Sequence, residues 1–312
     1  MSANVVSVNI SVEKGTPKEP VPEIRLDERG VQGDAHAGHW HRQVSILSRE
    51  LIDGFQGDMD RTLGNGEFAE NITTRGLDLS TLGLMDRLTI GEVVLQVTQI
   101  GKKCHGDSCA IFREIGKCVM PKEGIFCSVV RGGVVRPDDV LTHQPRSLKV
   151  SILTASDRAS RGEYEDHSGP QVEALLTEFF ATQRWHPEIN RQILPDEGSA
   201  LTGALEAIER DGGDIVIITG GTGIGPRDIT PEAVHDFCEK TIPGIMDAIR
   251  LKYGADKPNA LLSRSVAGVK GTMLVYAIPG SVRAVREYMS EIFKTMGHAL
   301  FMLHAVDAHT PA

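Results

Sequence analysis

DIVIITGGTGIGPRDITPE, residues 214–232, is the stretch on which the reading of the chain turns. Ile215 to Ile218 are consecutive β-branched apolar residues, the pattern of a short strand covered on both faces and therefore of a parallel sheet. Glycines 220, 221, 223 and 225 follow at once, and Thr230-Pro231 then signposts a helix, with Thr230 as N-cap and Pro231 at the first helical position. Glycines at the end of a parallel strand let backbone N–H groups approach an anion, and such strand ends are where open α/β sheets bind ligands. No Gly-Lys-Ser/Thr follows and the spacing is not GxGxxG, so the loop belongs to neither common nucleotide motif. It reads either as a phosphate cradle or as a purely structural turn, because glycine clusters also punctuate chains. Asp228 within it, and Asp196 in LPDE at residues 194–197, are either capping or solvated acids or ligands of a Mg²⁺ ion shared with phosphates.

Working outward, strands and helices alternate from Leu148. Strand patterns at 148–154, 190–194 and 214–219 alternate with helical spacing at 171–180 and 200–209. This predicts a mostly parallel sheet flanked by helices. Before that point the grammar differs. Short strands at 4–12 and 43–47, a hairpin at 87–100 turning on Gly91-Glu92, and a last strand near Val140 predict a β-barrel or β-sandwich, with one helix from Ser48. The polar segment THQPRS, 142–147, is read as the linker. The expected domains are 1–145 and 146–312.

Composition limits the function classes. The 312 residues carry 33 Lys+Arg against 42 Asp+Glu, a formal charge of −9, and neither half is basic on balance, so a nucleic-acid module is not expected. No apolar run approaches a membrane span and the N-terminus lacks a signal-peptide order, so a soluble cytoplasmic protein is expected. Four of the five cysteines (Cys104, Cys109, Cys118 and Cys127) fall close together, unlike a secreted disulfide framework. Lys102 and Lys103 would activate Cys104 if that thiol were exposed beside them, whereas Cys127, between Phe126 and Val129, reads as core. His36, His39 and His41 do not share a face, which fits hydrogen bonding to a ligand or to the chain better than a metal site.

Taken in order, TASDR (154–158), SGP (168–170), LPDE (194–197), TGGTG (219–223), RDITPE (227–232) and IPGS (278–281) resemble the molybdopterin adenylyltransferase family. That resemblance implies transfer of AMP from Mg-ATP to molybdopterin with release of pyrophosphate, and a homotrimer formed by this domain. Asp196 and Asp228 fall on the family's essential aspartates. Thr219, Gly220, Gly221, Thr222 and Gly223 would hold phosphates, and Ser156, Asp157, Ser263, Arg264, Pro279, Gly280 and Ser281 would line the pterin and nucleotide site.

The first half resembles the MOSC domain through GVQGD (30–34), HRQVS (41–45), GEFAENITT (66–74), residues 99–104 and MPKEGIF (120–126). The resemblance implies a β-barrel-rich fold that binds the molybdenum cofactor. Cys104 would be its reactive cysteine, as metal ligand or sulfur carrier, with Cys109 and Cys118 as alternates. Arg42, Asn71, Lys102 and Lys103 would contact the cofactor. The two resemblances meet in one expectation: a bifunctional protein of molybdenum-cofactor biosynthesis, with molybdenum-insertion or molybdenum-enzyme partners. The alternatives are a non-catalytic carrier of molybdopterin or cofactor, and a first half that reduces N-hydroxylated compounds.

Overall fold

The computed structural model describes residues 2–56, 62–103 and 118–306. The chain divides into two compact units, one ending at Arg146 and the next running from Ser147 to Ala305.

The first unit contains eleven described strands: β1 Ser2–Ile10, β2 Glu19–Val21, β3 Ile24–Asp27, β4 Gly30–Val31, β5 Val44–Ser48, β6 Ile72–Arg75, β7 Arg87–Ile90, β8 Val93–Ile100, β9 Ile125–Arg131, β10 Gly133–Val135 and β11 Val140–Gln144. Seven of them close in the order β11-β7-β8-β9-β5-β6-β1, with β1 returning to β11 through Ala3 opposite Leu141. Of the two architectures open to the sequence, the barrel is therefore the one formed. Closure leaves those strands no unpaired edge. The Gly91-Glu92 hairpin forms as expected: Gly91 takes φ +57°, the left-handed geometry that a two-residue turn requires, and Ile90 faces Val93. All five residues of β5 are buried. Ser48 then caps the helix Arg49–Gln56, its hydroxyl accepting the Leu51 N–H at 3.3 Å.

The expected linker is shorter than its composition implies. Residues 142–144 continue β11 and pair with β7, and Ser147 already opens the next strand. The buried Asp86 carboxylate fixes the exit: it meets His143 Nε2 at 2.6 Å and accepts the Arg146 N–H at 2.8 Å.

The second unit is a six-stranded sheet in the order β13-β12-β14-β17-β16-β15, comprising β12 Ser147–Ala155, β13 His186–Leu194, β14 Ile215–Thr219, β15 Lys240–Thr241, β16 Val266–Lys270 and β17 Met273–Ile278. The first four in that order are mutually parallel; β16 and β15 join antiparallel. Side-chain alternation splits the core between the two faces. Leu153, Val216, Ile218 and Val275 pack with the helices Gly198–Arg210 and Thr230–Phe237. The opposite face meets the helices Ser168–Gln183 and Val282–Leu303.

One local expectation is corrected. Thr230 is the first residue of its helix rather than the side-chain cap, and its buried hydroxyl makes no hydrogen bond. The loop closes instead through the backbone, Thr230 N–H donating to the Gly221 carbonyl at 3.1 Å, which turns the hydroxyl against Gly221.

Candidate functional site

The sheet order creates the second unit's site. From β12 the chain crosses to β13 on one side, and from β13 it crosses back to β14 on the other side of β12. The loops leaving β12 and β14 therefore diverge above the paired residues Thr154 and Thr219, opening a crevice at the carboxyl ends of the strands. Two cavities lie there. One of about 410 Å³ is bounded by Ser156, Tyr164, His167, Thr219 and Ser281. The other, of about 580 Å³, is bounded by Thr222, Asp228, Lys257, Ser263, Arg283 and Tyr288. Gly280 and Ser281 border both, and a Cβ on Gly280 would stand 3.2 Å from the Gly220 Cα, so close-packed glycine backbone divides them.

Glycine is required in this ridge. Gly220 takes φ +97° and Gly221 φ +59°, and a Cβ on Gly220 would collide with the Ala155 carbonyl oxygen. Farther along, Cβ atoms on Gly223 and Gly225 would lie 2.6 and 2.9 Å from Asp228 Oδ2, which accepts the Gly225 N–H at 2.8 Å. Asp228 is thus folded back against its own loop.

Arg264 holds the same loop from outside. Its Nε donates to the Gly223 carbonyl at 2.7 Å, one Nη to the Asp228 carbonyl at 2.6 Å and the other to Glu232. Each nitrogen of its guanidinium thus bonds the protein, so Arg264 shapes the site rather than presenting a free fork to it. Ser281, with its hydroxyl accepting the Ala284 N–H at 3.3 Å, caps the helix Val282–Leu303 and aims that helix's positive end at the ridge. Ser263 pairs its hydroxyl with Ser265 at 2.6 Å.

Asp157 and Asp196 hold each other reciprocally: each backbone N–H donates to the other's carboxylate at 3.0 Å. That bond from the Asp196 backbone, with Arg227 Nη2 at 2.5 Å, keeps the Asp157 carboxyl below its usual range. Among the described residues, Asp196 Oδ1 and Asp228 Oδ1 keep no hydrogen bond, so each carboxylate retains an oxygen for a hard cation. The described residues include no cluster of three or more His, Cys, Asp and Glu placed to hold a metal by themselves. A Mg²⁺ ion completed by substrate phosphates needs only one or two carboxylates, and the donor set fits that case.

Several site residues were not singled out from the sequence. Asp166 accepts the N–H groups of Ser168 and Gly169 and the hydroxyls of Ser168 and Thr154, while Ser168 Oγ meets Thr219 Oγ1 at 2.8 Å. Burial alone would raise its carboxyl, and these donors hold it low. An Asp two residues before the SGP motif was the available signal. Lys257, Arg283 and Tyr288 had none, since the first lies in the loop before Pro258 and the others on the helix Val282–Leu303, and they meet only at the cavity.

In the first unit, a pocket of about 80 Å³ is lined by His36, Trp40, Arg42, Asn71, Lys102 and Phe126, among others. Beneath it Asp34, 6% exposed, pairs with the buried Lys18, receives Asn71 Nδ2 at 3.1 Å and Ser11 N–H at 3.1 Å, and meets His36 Nδ1 at 3.2 Å. Burial would raise the Asp34 carboxyl, but the bonds from His36 and Lys18 prevail and hold it well below the usual carboxylate range. Asn71 is fully used by the fold: Nδ2 serves Asn9 O and Asp34, and Oδ1 accepts from Ser45 N–H and Oγ. It lines the pocket as a wall. Lys102 lies 5.7 Å from the Phe126 ring centroid, and Lys103 is exposed. Cys127 is wholly buried and burial pushes its thiol up, as a core residue should behave; Cys118 is half-buried against the core. Cys104 and Cys109 lie outside the described residues. No described helix is long and apolar enough to cross a membrane.

Comparison with known proteins gives two family matches. A model described as "Probable molybdopterin binding domain" matches residues 151–298, and one described as "MOSC domain" matches residues 33–142. A molybdopterin adenylyltransferase of Helicobacter pylori (strain J99) is 33% identical over 159 residues, 51% of this chain and 89% of that protein. A molybdenum cofactor biosynthesis bifunctional protein of Synechococcus elongatus is 32% identical over 56% of this chain and 54% of its own length. The crystal structure of a molybdopterin biosynthesis protein from Mycobacterium abscessus is 32% identical, covering 50% of this chain and 94% of that one, with a TM-score of 0.44.

Proposed function

The chain belongs, through its second half, to the molybdopterin adenylyltransferase family, and we propose that it acts as such an enzyme in molybdenum-cofactor biosynthesis. In this reading an oxygen of molybdopterin's terminal phosphate attacks the α-phosphorus of ATP. The bond to the bridging oxygen breaks, pyrophosphate leaves, and adenylyl-molybdopterin remains.

The observation that carries the proposal is the pair of cavities meeting at the Gly220–Gly280 ridge. Two phosphorylated substrates entering from opposite sides would bring their phosphates together over the glycine ridge and the capped end of the helix Val282–Leu303. Thr219 to Gly223 would cradle the phosphates; Arg264 and the Asp228–Gly225 bond would keep that cradle in shape. Mg²⁺, held by Asp228 and Asp196, would neutralise charge on the transferring phosphoryl group. Asp157 would act by fixing Asp196 through their reciprocal bonds. At the wider cavity Lys257 and Arg283 both pair with Glu287, and the three together would leave one net positive charge there.

For the first half, the proposal is a seat for the molybdenum cofactor at the Arg42–Lys102 pocket, with Cys104 as its thiol. The test of the adenylyl-transfer reading is pyrophosphate release by the full chain given molybdopterin and Mg-ATP. Release that requires molybdopterin is expected; its absence refutes the proposal in favour of a carrier.

A further inference from the structure

The first unit's pocket has an unusual balance of polar groups. The side chains of Asn71 and Ser45 are committed to neighbours within the fold. Trp40 donates its Nε1–H to the His36 carbonyl at 2.8 Å, fixing the loop that forms one wall. Asp34 is enclosed beneath, neutralised by Lys18 and capped by Asn71 and the Ser11 N–H. Glu70, also buried, takes the N–H groups of Gly66 and Phe68 and the Thr73 hydroxyl and does not line the pocket.

What faces the opening is therefore a set of donors. The Arg42 guanidinium lies over the Trp40 ring, 4.8 Å from its centroid, and its buried Nε has no hydrogen-bond partner. Burial without a counter-ion also pulls its pKa down. The Lys102 ammonium borders the same space, next to the Phe126 ring. His36, stacked beside Trp40 with centroids 6.4 Å apart, is held by its Nδ1 contact to the Asp34 carboxylate and stands as a wall of the pocket. Among the described residues that line it there is no carboxylate.

Size narrows the ligand. About 80 Å³ is far below the roughly 300–1,000 Å³ of clefts that enclose drug-sized molecules. It accommodates one compact ion. A planar guanidinium fork matches two oxygens of an oxyanion, and an orphaned buried N–H is satisfied only by an acceptor.

We infer that this pocket is a seat for one free tetrahedral oxyanion, of the molybdate, tungstate, sulfate or phosphate class, held by Arg42 and Lys102. The inference rests on the cofactor-seat reading only in using the same pocket: a free oxyanion and the terminal phosphate of a bound pterin offer the same chemistry, and experiment separates them.

The chain has two tryptophans, so the Trp185→Phe variant of the full-length protein makes Trp40 the sole indole reporter and leaves anion binding at the second unit unseen. Fluorescence is titrated with sodium molybdate, with sodium phosphate and with molybdopterin, each against sodium chloride at equal ionic strength. A saturable Trp40 response to the free oxyanions is expected, weakened about tenfold or more by Arg42→Gln and severalfold by Lys102→Gln, because each loses a charge-assisted hydrogen bond. Arg87→Gln, exposed on β7 and not among the residues lining the pocket, should leave it unchanged. No saturable response to either oxyanion refutes the inference, as does a response that both pocket variants leave intact. Response to molybdopterin alone also refutes it while sustaining the cofactor-seat reading. Response to the oxyanions but not to molybdopterin sustains it and refutes that reading.

Discussion

Replacing Gly220 by Ala tests whether the ridge between the two cavities is as close-packed as its geometry requires. Gly220 takes φ +97° at the end of β14, and its N–H donates to the Ile278 carbonyl at 3.0 Å. An L-residue in left-handed backbone costs roughly 1–2 kcal/mol. A Cβ there would also fall well inside the 3.0 Å that real Cβ atoms keep from the Ala155 carbonyl oxygen. Ala155 cannot retreat cheaply, because β12 is paired on both sides and the Ser156 N–H is held by Leu194 O at 2.9 Å. Forced overpacking of this kind adds about 1–3 kcal/mol.

Gly212 supplies the control. It takes φ +72° just after the helix Gly198–Arg210, but a Cβ on it meets nothing within 4 Å. Gly212→Ala therefore carries the backbone cost alone. At about 2–4 °C per kcal/mol for a unit of this size, Gly220→Ala should melt about 2–12 °C below Gly212→Ala. The assay is thermal unfolding followed by Trp185 fluorescence in a Trp40→Phe background, which reports the second unit, and molybdopterin-dependent pyrophosphate release should fall only for the Gly220 variant. Equal melting of the two variants would refute the argument from the Ala155 carbonyl.

Asp228→Asn keeps an acceptor for the Gly225 N–H but loses the charge, so unfolding should be little changed while pyrophosphate release drops on the order of a hundredfold and needs more Mg²⁺; a Mg²⁺ titration of the variant checks this. Asp34→Asn leaves the buried Lys18 without its counter-charge, and the first unit should lose about 3–5 kcal/mol in urea unfolding. Because the folded Asp34 carboxyl lies below its unfolded value of about 3.9, its stabilisation is complete above that pH and fades as pH falls further, so the variant should show a flatter acid limb in unfolding curves between about pH 4 and 2. Thr230→Val removes a hydroxyl that caps nothing; its melting temperature should equal or exceed that of the native chain, whereas loss of a true N-cap would cost about 1 kcal/mol.

Local signals account for what was legible. The run Ile215–Ile218, the glycines after it and Pro231 mark strand, loop and helix because backbone preference and side-chain burial act over a few residues. The Gly91-Glu92 hairpin and the Ser48 cap were readable for the same reason. Asp196 and Asp228 could be singled out because both follow strands of one sheet. Thr230 misled because a Thr-Pro pair predicts a cap from propensity alone, while the closing bond of this loop is made by the backbone to Gly221.

The roles of particular side chains were a different matter. Arg264 read as a ligand-lining cation until three protein contacts on its guanidinium made it a clamp, and Asn71 read as a cofactor contact until its amide proved fully occupied. Lys18 carried no signal, yet it neutralises Asp34 beneath the first unit's pocket. By itself the sequence determined the two kinds of architecture, the glycine loop and the family of the second half. Only the tertiary structure decided that the first half closes β1 onto β11, that Asp157 holds Asp196, and which cations remain free to meet an anion. Those outcomes depend on partners distant in the chain, and whether a polar group is left unpaired is settled only when every neighbour is in place.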